Sequence, residues 1–128
     1  MGRFFRLSAY NHRMTDTDPR FKNMHRYTPT RRPYVEVRVG DKRFHAQVIG
    51  WNGKHAFIEY PTKIINRVTT GQREVGWVPI ENAVRIRRAD SIWASTEDDH
   101  EWHTTEDKHI TYRADPWTVY TQELPPES

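Results

Sequence analysis

Three aromatic side chains and seven arginines are the residues of this 128-residue chain whose types and spacing suit a ligand. Trp77 lies in the run Val75-Gly76-Trp77-Val78, where strand alternation sets it opposite Val78; an inward Val78 leaves the indole outward. An outward Trp is a platform for a base or a peptide, unless one of the terminal segments covers it. Trp51, beside Asn52-Gly53, and Tyr60 complete the aromatic set; Trp51 either joins a ligand surface or packs on a neighbouring loop. Arg85, Arg87 and Arg88, with Arg38 and Arg43 on strands expected nearby and Arg31 and Arg32 ahead of them, form a candidate basic stripe. Cations that follow phosphates, interleaved with rings that stack on bases, are what a single-stranded nucleic-acid groove requires. The competing expectation is a solvated outer face whose arginines pair with Glu36, Glu59 and Glu81.

Catalytic chemistry has less to work with. The sequence contains no nucleophile elbow, no Gly-rich phosphate loop and no His-Glu-x-x-His. His45 and His55 fall on adjacent expected strands, with no carboxylate specified as partner. His100 and His103, among Asp98, Asp99, Glu101, Glu106, Asp107 and His109, have a spacing that serves zinc on a helix. That stretch has no apolar stripe, so it reads first as a solvated acidic segment, or as a mimic of a nucleic-acid strand that shields the basic region. With no cysteine, thiolate nucleophiles, disulfides and Cys-type zinc sites are excluded. The expectation is a non-enzyme, with no catalytic residue, metal or cofactor.

The elements that must position these residues are strands. Tyr34 to Val39 alternates, with Val35, Val37 and Val39 on one face and Glu36 and Arg38 on the other. A tight connection at Gly40-Asp41-Lys42 leads into Arg43–Val48, with Phe44, Ala46 and Val48 inward. Asn52-Gly53 between apolar runs signals a hairpin, and His55–Tyr60 puts Ala56, Ile58 and Tyr60 on one side. A longer loop from Pro61 to Arg73 holds Ile64, Ile65 and Val68, some of which tuck under. Glu74–Pro79 is a fourth strand, Ile80–Ala83 a 3₁₀ turn, and Val84–Arg88 a fifth strand with Val84 and Ile86 inward. Five short strands at near-regular spacing predict a small all-β sandwich or barrel. Residues 1–33 form an arm in which Phe21, Met24 and Tyr27 are spaced for a short turn that docks on the barrel; residues 1–13 precede a second plausible start at Met14. Residues 89–128 form an acidic extension, with a hairpin expected at 109–121 around Ala114-Asp115-Pro116.

The block Gly76-Trp77-Val78-Pro79, followed by Val84-Arg85-Ile86, resembles the fourth strand, 3₁₀ turn and fifth strand of SH3-like barrels. The short Gly40–Lys42 connection is closer to the Tudor and chromo-barrel branch, as are Ile58-Glu59-Tyr60 and Trp77-Val78-Pro79. The resemblance covers residues 34–88 and implies a five-stranded antiparallel SH3-like barrel. That branch often carries an aromatic cage for methylated ammonium groups. Here it implies Tyr60 and Trp77 as two walls with Trp51 near the rim, although residues 61–73 supply no further aromatic.

Charge is divided along the chain. Residues 1–32 hold eight basic against two acidic side chains, residues 33–89 ten against five, and residues 90–128 two against ten. Either the basic surface meets a polyanion, or the acidic tail folds back and neutralises it. No apolar run reaches the length of a signal peptide or a membrane span, so a soluble, cytoplasmic protein without membrane contact is expected. The leading expectation is a nucleic-acid-associated module of low sequence specificity. The alternative is a protein–protein adaptor, such as a viral accessory or structural component.

Overall fold

The computed structural model describes residues 18–65, 68–69, 72–112, 122 and 124. Among these residues the architecture is all-β, an antiparallel sheet with one short helix. The strands are β1 (His25–Arg26), β2 (Tyr34–Val39), β3 (Lys42–Trp51), β4 (His55–Pro61), β5 (Ile64–Ile65), β6 (Val68–Thr69), β7 (Arg73–Pro79) and β8 (Ala83–Arg85). The main sheet runs β7-β4-β3-β2-β8, with β1 added beside the far end of β3; β5 and β6 form a separate small hairpin. A 3₁₀ turn at Ile80–Asn82 joins β7 to β8. Among the described residues no ladder joins these two edge strands.

Local sequence explains the meander. Val39 pairs with Lys42, so β2 and β3 turn over two residues, and Gly40 takes the left-handed φ of 62° that such a turn needs. At the next turn Asn52 does the work: its Oδ1 accepts from the Lys54 and His55 amides at 2.9 and 2.8 Å. A bulge between Val48 and Gly50 bends β3. Gly50 has no room for a Cβ, which would lie 2.6 Å from the His25 carbonyl oxygen.

One face of the sheet carries the expected core of Val35, Val37, Phe44, Ala46, Val48, Ala56, Ile58, Tyr60 and Val78. The fifth strand departs from expectation. Ala83 lies opposite Val37 and Arg85 opposite Val35, whereas Val84 lies opposite Glu36. Val84 is therefore on the face away from the valine core, and Arg85 is on it. The strand enters the ladder at Ala83, directly after a 3₁₀ turn one residue shorter than expected, and strand parity makes such offsets decisive. Ile86 is buried, but outside that core cluster.

The opposite face is buried too, which alternation in the strands does not reveal. Over β4 and β7, Ile49, Phe57, Val75 and Trp77 are covered by Phe21 and Met24 of the arm. Over β2 and β3, Tyr34, Glu36, His45 and Gln47 lie under a segment that supplies Trp93, Ser91, Ser95 and His103, all buried. The arm is fastened along β3 by Tyr27 N–H to Ile49 O at 3.0 Å and Val48 N–H to Pro33 O at 2.9 Å.

The acidic extension contains a helix, α1 (His100–Asp107), where a solvated acidic segment is expected. Asp99 caps it by accepting from the Trp102 amide at 3.1 Å, and Glu101 sits in its first turn. It was not evident because eight residues carry no apolar stripe; docking of one buried residue, His103, holds it. The hairpin expected at 109–121 falls mainly on residues 113–121, outside the described ones. No helix is long and apolar enough to cross a membrane among the described residues.

Candidate nucleic-acid interface

The three platform aromatics do not converge. Trp77 pairs across the ladder with Phe57 and is only 3% exposed. The Phe21 and Phe57 rings stand 5.1 and 4.9 Å from it, with the Arg20 guanidinium 5.0 Å from the ring centroid. Alternation correctly sets Trp77 opposite Val78, but the arm seals the outward side, so Trp77 is no exposed platform. Tyr60 is on the other face, 5% exposed, against Phe44 at 5.1 Å. Two walls on opposite faces of one sheet make no cage. Trp51 alone keeps an accessible flank; half-buried, it stacks on His25 at 4.7 Å with a 30° tilt.

Nor do the seven arginines form an open stripe. Arg87 contacts Asp90 at 2.8 Å, Arg88 contacts Asp98 at 3.0 Å, and Arg31 reaches Asp99 at 3.5 Å. Arg32 meets Glu59 at 3.4 Å and Arg38 meets Glu36 at 3.0 Å. Arg43 is exposed and faces Arg38 across β2 and β3. Arg85 sits on the core side with its Nε buried. Three of these pairings use carboxylates of the acidic extension, so that segment folds back on the basic body.

Polar groups expected at the surface are instead joined beneath the cover. Glu36 and His45, neighbours in the β2–β3 register, are both fully buried. The Ile92 amide donates to His45 Nδ1 at 2.9 Å, which leaves the Nε2 proton to face Glu36 Oε2 at 3.3 Å. Burial pulls the His45 pKa below its ordinary value, with Glu36 opposing. Burial raises that of Glu36, but hydrogen bonds from Arg38, His45 and Tyr112 outweigh it and hold the carboxyl below the usual range. With both nitrogens engaged and no exposure, this imidazole cannot serve a substrate. His55 lies opposite Pro79, far along the hairpin from His45. A second network joins the Tyr34 hydroxyl, Asp98 and Arg88; the Ser95 amide donates to that hydroxyl at 2.9 Å. His103 donates to Thr30 O at 3.2 Å while His100 is exposed. Among the described residues no three His, Asp or Glu side chains are grouped to hold a metal.

No family model, curated protein or solved structure matches the chain.

Cations are also exposed at the Trp51 end. His25 and Arg26 of β1, paired with Trp51 and Gly50, are exposed, as are Lys22 just before them and Lys54 in the β3–β4 turn. Lys22, Arg26 and Lys54 form no ion pair among the described residues. Asp18 at this end is taken by Arg20 at 2.5 Å, while Glu81, next to Ile80, is exposed. Ile80, the exposed large hydrophobic residue among the described ones at 38%, is tied to Lys54 by a 2.9 Å backbone hydrogen bond. Of this region only Trp51 was marked in the sequence. The rest was hidden because β1, which brings His25 to Trp51, is two residues long and has no pattern.

Proposed function

We propose that the protein is a non-enzymatic binding module that takes single-stranded nucleic acid across the Trp51 end of its sheet. The short β2–β3 turn and the 3₁₀ connection before β8 support grouping the sheet with Tudor-type SH3-like barrels. The observation that carries the functional reading is the His25–Trp51 stack with Lys22, Arg26 and Lys54 exposed on the segments that bear it and forming no ion pair among the described residues, while the strand arginines are mostly paired. Rings accept any base, and lysine or arginine follows any phosphate, so low sequence specificity is expected. Three phosphate contacts give a log-affinity slope against log salt of about −2 for a single strand.

Anisotropy of a labelled single-stranded oligonucleotide tests this. Trp51→Ala is expected to weaken binding about tenfold, the scale of one lost stack, without changing thermal stability much. Undiminished affinity in that variant, or affinity indifferent to salt, overturns the reading; the protein-adaptor alternative would then stand, with a partner recovered from lysate in a nuclease-resistant form.

A further inference from the structure

The ladder between β3 and β4 ends for a chemical reason, and the gap beyond it is filled from elsewhere in the chain. Gln47 pairs with Glu59, so continuing that register sets His45 opposite Pro61. Proline has no amide hydrogen to give His45. The Gln122 side chain takes its place. Its Oε1 accepts from the His45 amide at 2.7 Å, and its Nε2 donates to His45 O at 3.0 Å and to Pro61 O at 2.9 Å. The Gln122 backbone amide donates to Thr62 O at 3.0 Å. Two residues on, the Leu124 amide donates to the Tyr60 hydroxyl at 3.3 Å, and its side chain packs on the valine core. A Cβ built on Gly76 would come within 2.6 Å of Leu124 Cδ2, so the absence of a side chain there makes the seat.

We infer that this gap between β3 and β4 is a docking site for an extended peptide carrying glutamine followed two residues later by leucine, held in cis by the chain's own Gln122 and Leu124. The partner is a protein presenting such a segment, and the tail is its internal competitor. The glutamine's side chain meets only main-chain atoms, of His45 within β3 and of Pro61 at the end of β4, so the seat reads amide chemistry and extended geometry together, the logic of strand addition. Gln122 is 5% exposed, and without it the His45 amide and the Pro61 carbonyl would lose these partners in the interior, while His45 O would keep the Trp93 indole N–H at 3.0 Å. This site lies on other residues than the Trp51 end and does not depend on nucleic-acid binding.

The test uses the full chain. A labelled peptide of residues 121–125, measured without nucleic acid, is expected to bind a Gln122→Ala, Leu124→Ala double variant at least tenfold tighter than the unmodified protein, because the competitor is weakened. The same peptide with alanine for glutamine should not bind, and adding Gly76→Ala should abolish binding by filling the leucine seat. A folded double variant that ignores the peptide overturns the proposal. Hydrogen exchange on the unmodified chain gives a second reading should the variant not fold. The His45 amide is expected to exchange faster than its β2–β3 neighbours and to slow when peptide is added; exchange only through global unfolding overturns the proposal as well.

Discussion

Trp77 shows how one side chain's surroundings decide its role. Its outward position was legible in the parity of β7; parity left open whether a terminal segment covers it, and Phe21, more than fifty positions away in sequence, provides that cover. Trp77→Ala is therefore expected to act on folding, costing about 3–5 kcal/mol as a large-to-small core change. Chemical denaturation measures it, and a loss under about 1 kcal/mol would contradict the burial. The two buried imidazoles make a second residue-level prediction. Burial lowers the pKa of both His45 and His103 in the native state, with carboxylates opposing. The unfolded chain, with histidines near 6.5, binds protons that the folded chain refuses. Stability is complete above that value and falls as pH drops below it, by at most about 1.4 kcal/mol per pH unit for each imidazole. Glu36, held below its ordinary range, adds loss of the same sign at lower pH. Thermal unfolding followed from pH 8 to pH 5 should show a falling midpoint; a flat one would contradict the neutral, buried assignment.

Among the elements, β2, β3, β4 and β7 were readable because each alternates and each turn carries its own chemistry, Gly40 in one and Asn52 in the other. What failed was whatever depends on a partner. β8 took the opposite parity because its ladder to β2 fixes the register, and both faces offered a buried environment to accept its side chains. Strand β1 is two residues held against β3 by contact at Gly50, and α1 is a single capped segment. The contact between β1 and the sheet can be broken selectively. Gly50→Ala would push a methyl into the His25 carbonyl and the Met24 side chain; β1 is expected to lift away, seen as fast amide exchange at Tyr27 while the Phe44 and Ala46 amides stay protected. Unchanged protection at Tyr27 would contradict that contact. The same substitution should weaken oligonucleotide binding, since it separates His25 from Trp51.

At the scale of the molecule, the chain wraps one sheet with its own flanks. The arm covers the apolar half of the outer face, and the acidic segment covers the polar half and neutralises the arginines beneath it. Composition announced the division of charge but not its consequence, since a count of acids and bases cannot say which of them meet. Asp90, Asp98 and Asp99 pair with Arg87, Arg88 and Arg31, whereas Lys22, Arg26 and Lys54 at the Trp51 end are exposed and form no ion pair among the described residues. The most direct measurement compares two charge-reversed proteins in oligonucleotide binding across a salt series. Reversal of Lys22, Arg26 and Lys54 to glutamate is expected to flatten the salt dependence by about two units of slope, whereas Arg87→Glu leaves the slope as it was. If Arg87→Glu flattened the slope and the triple reversal did not, the ligand surface would lie on the strand arginines and not at the Trp51 end.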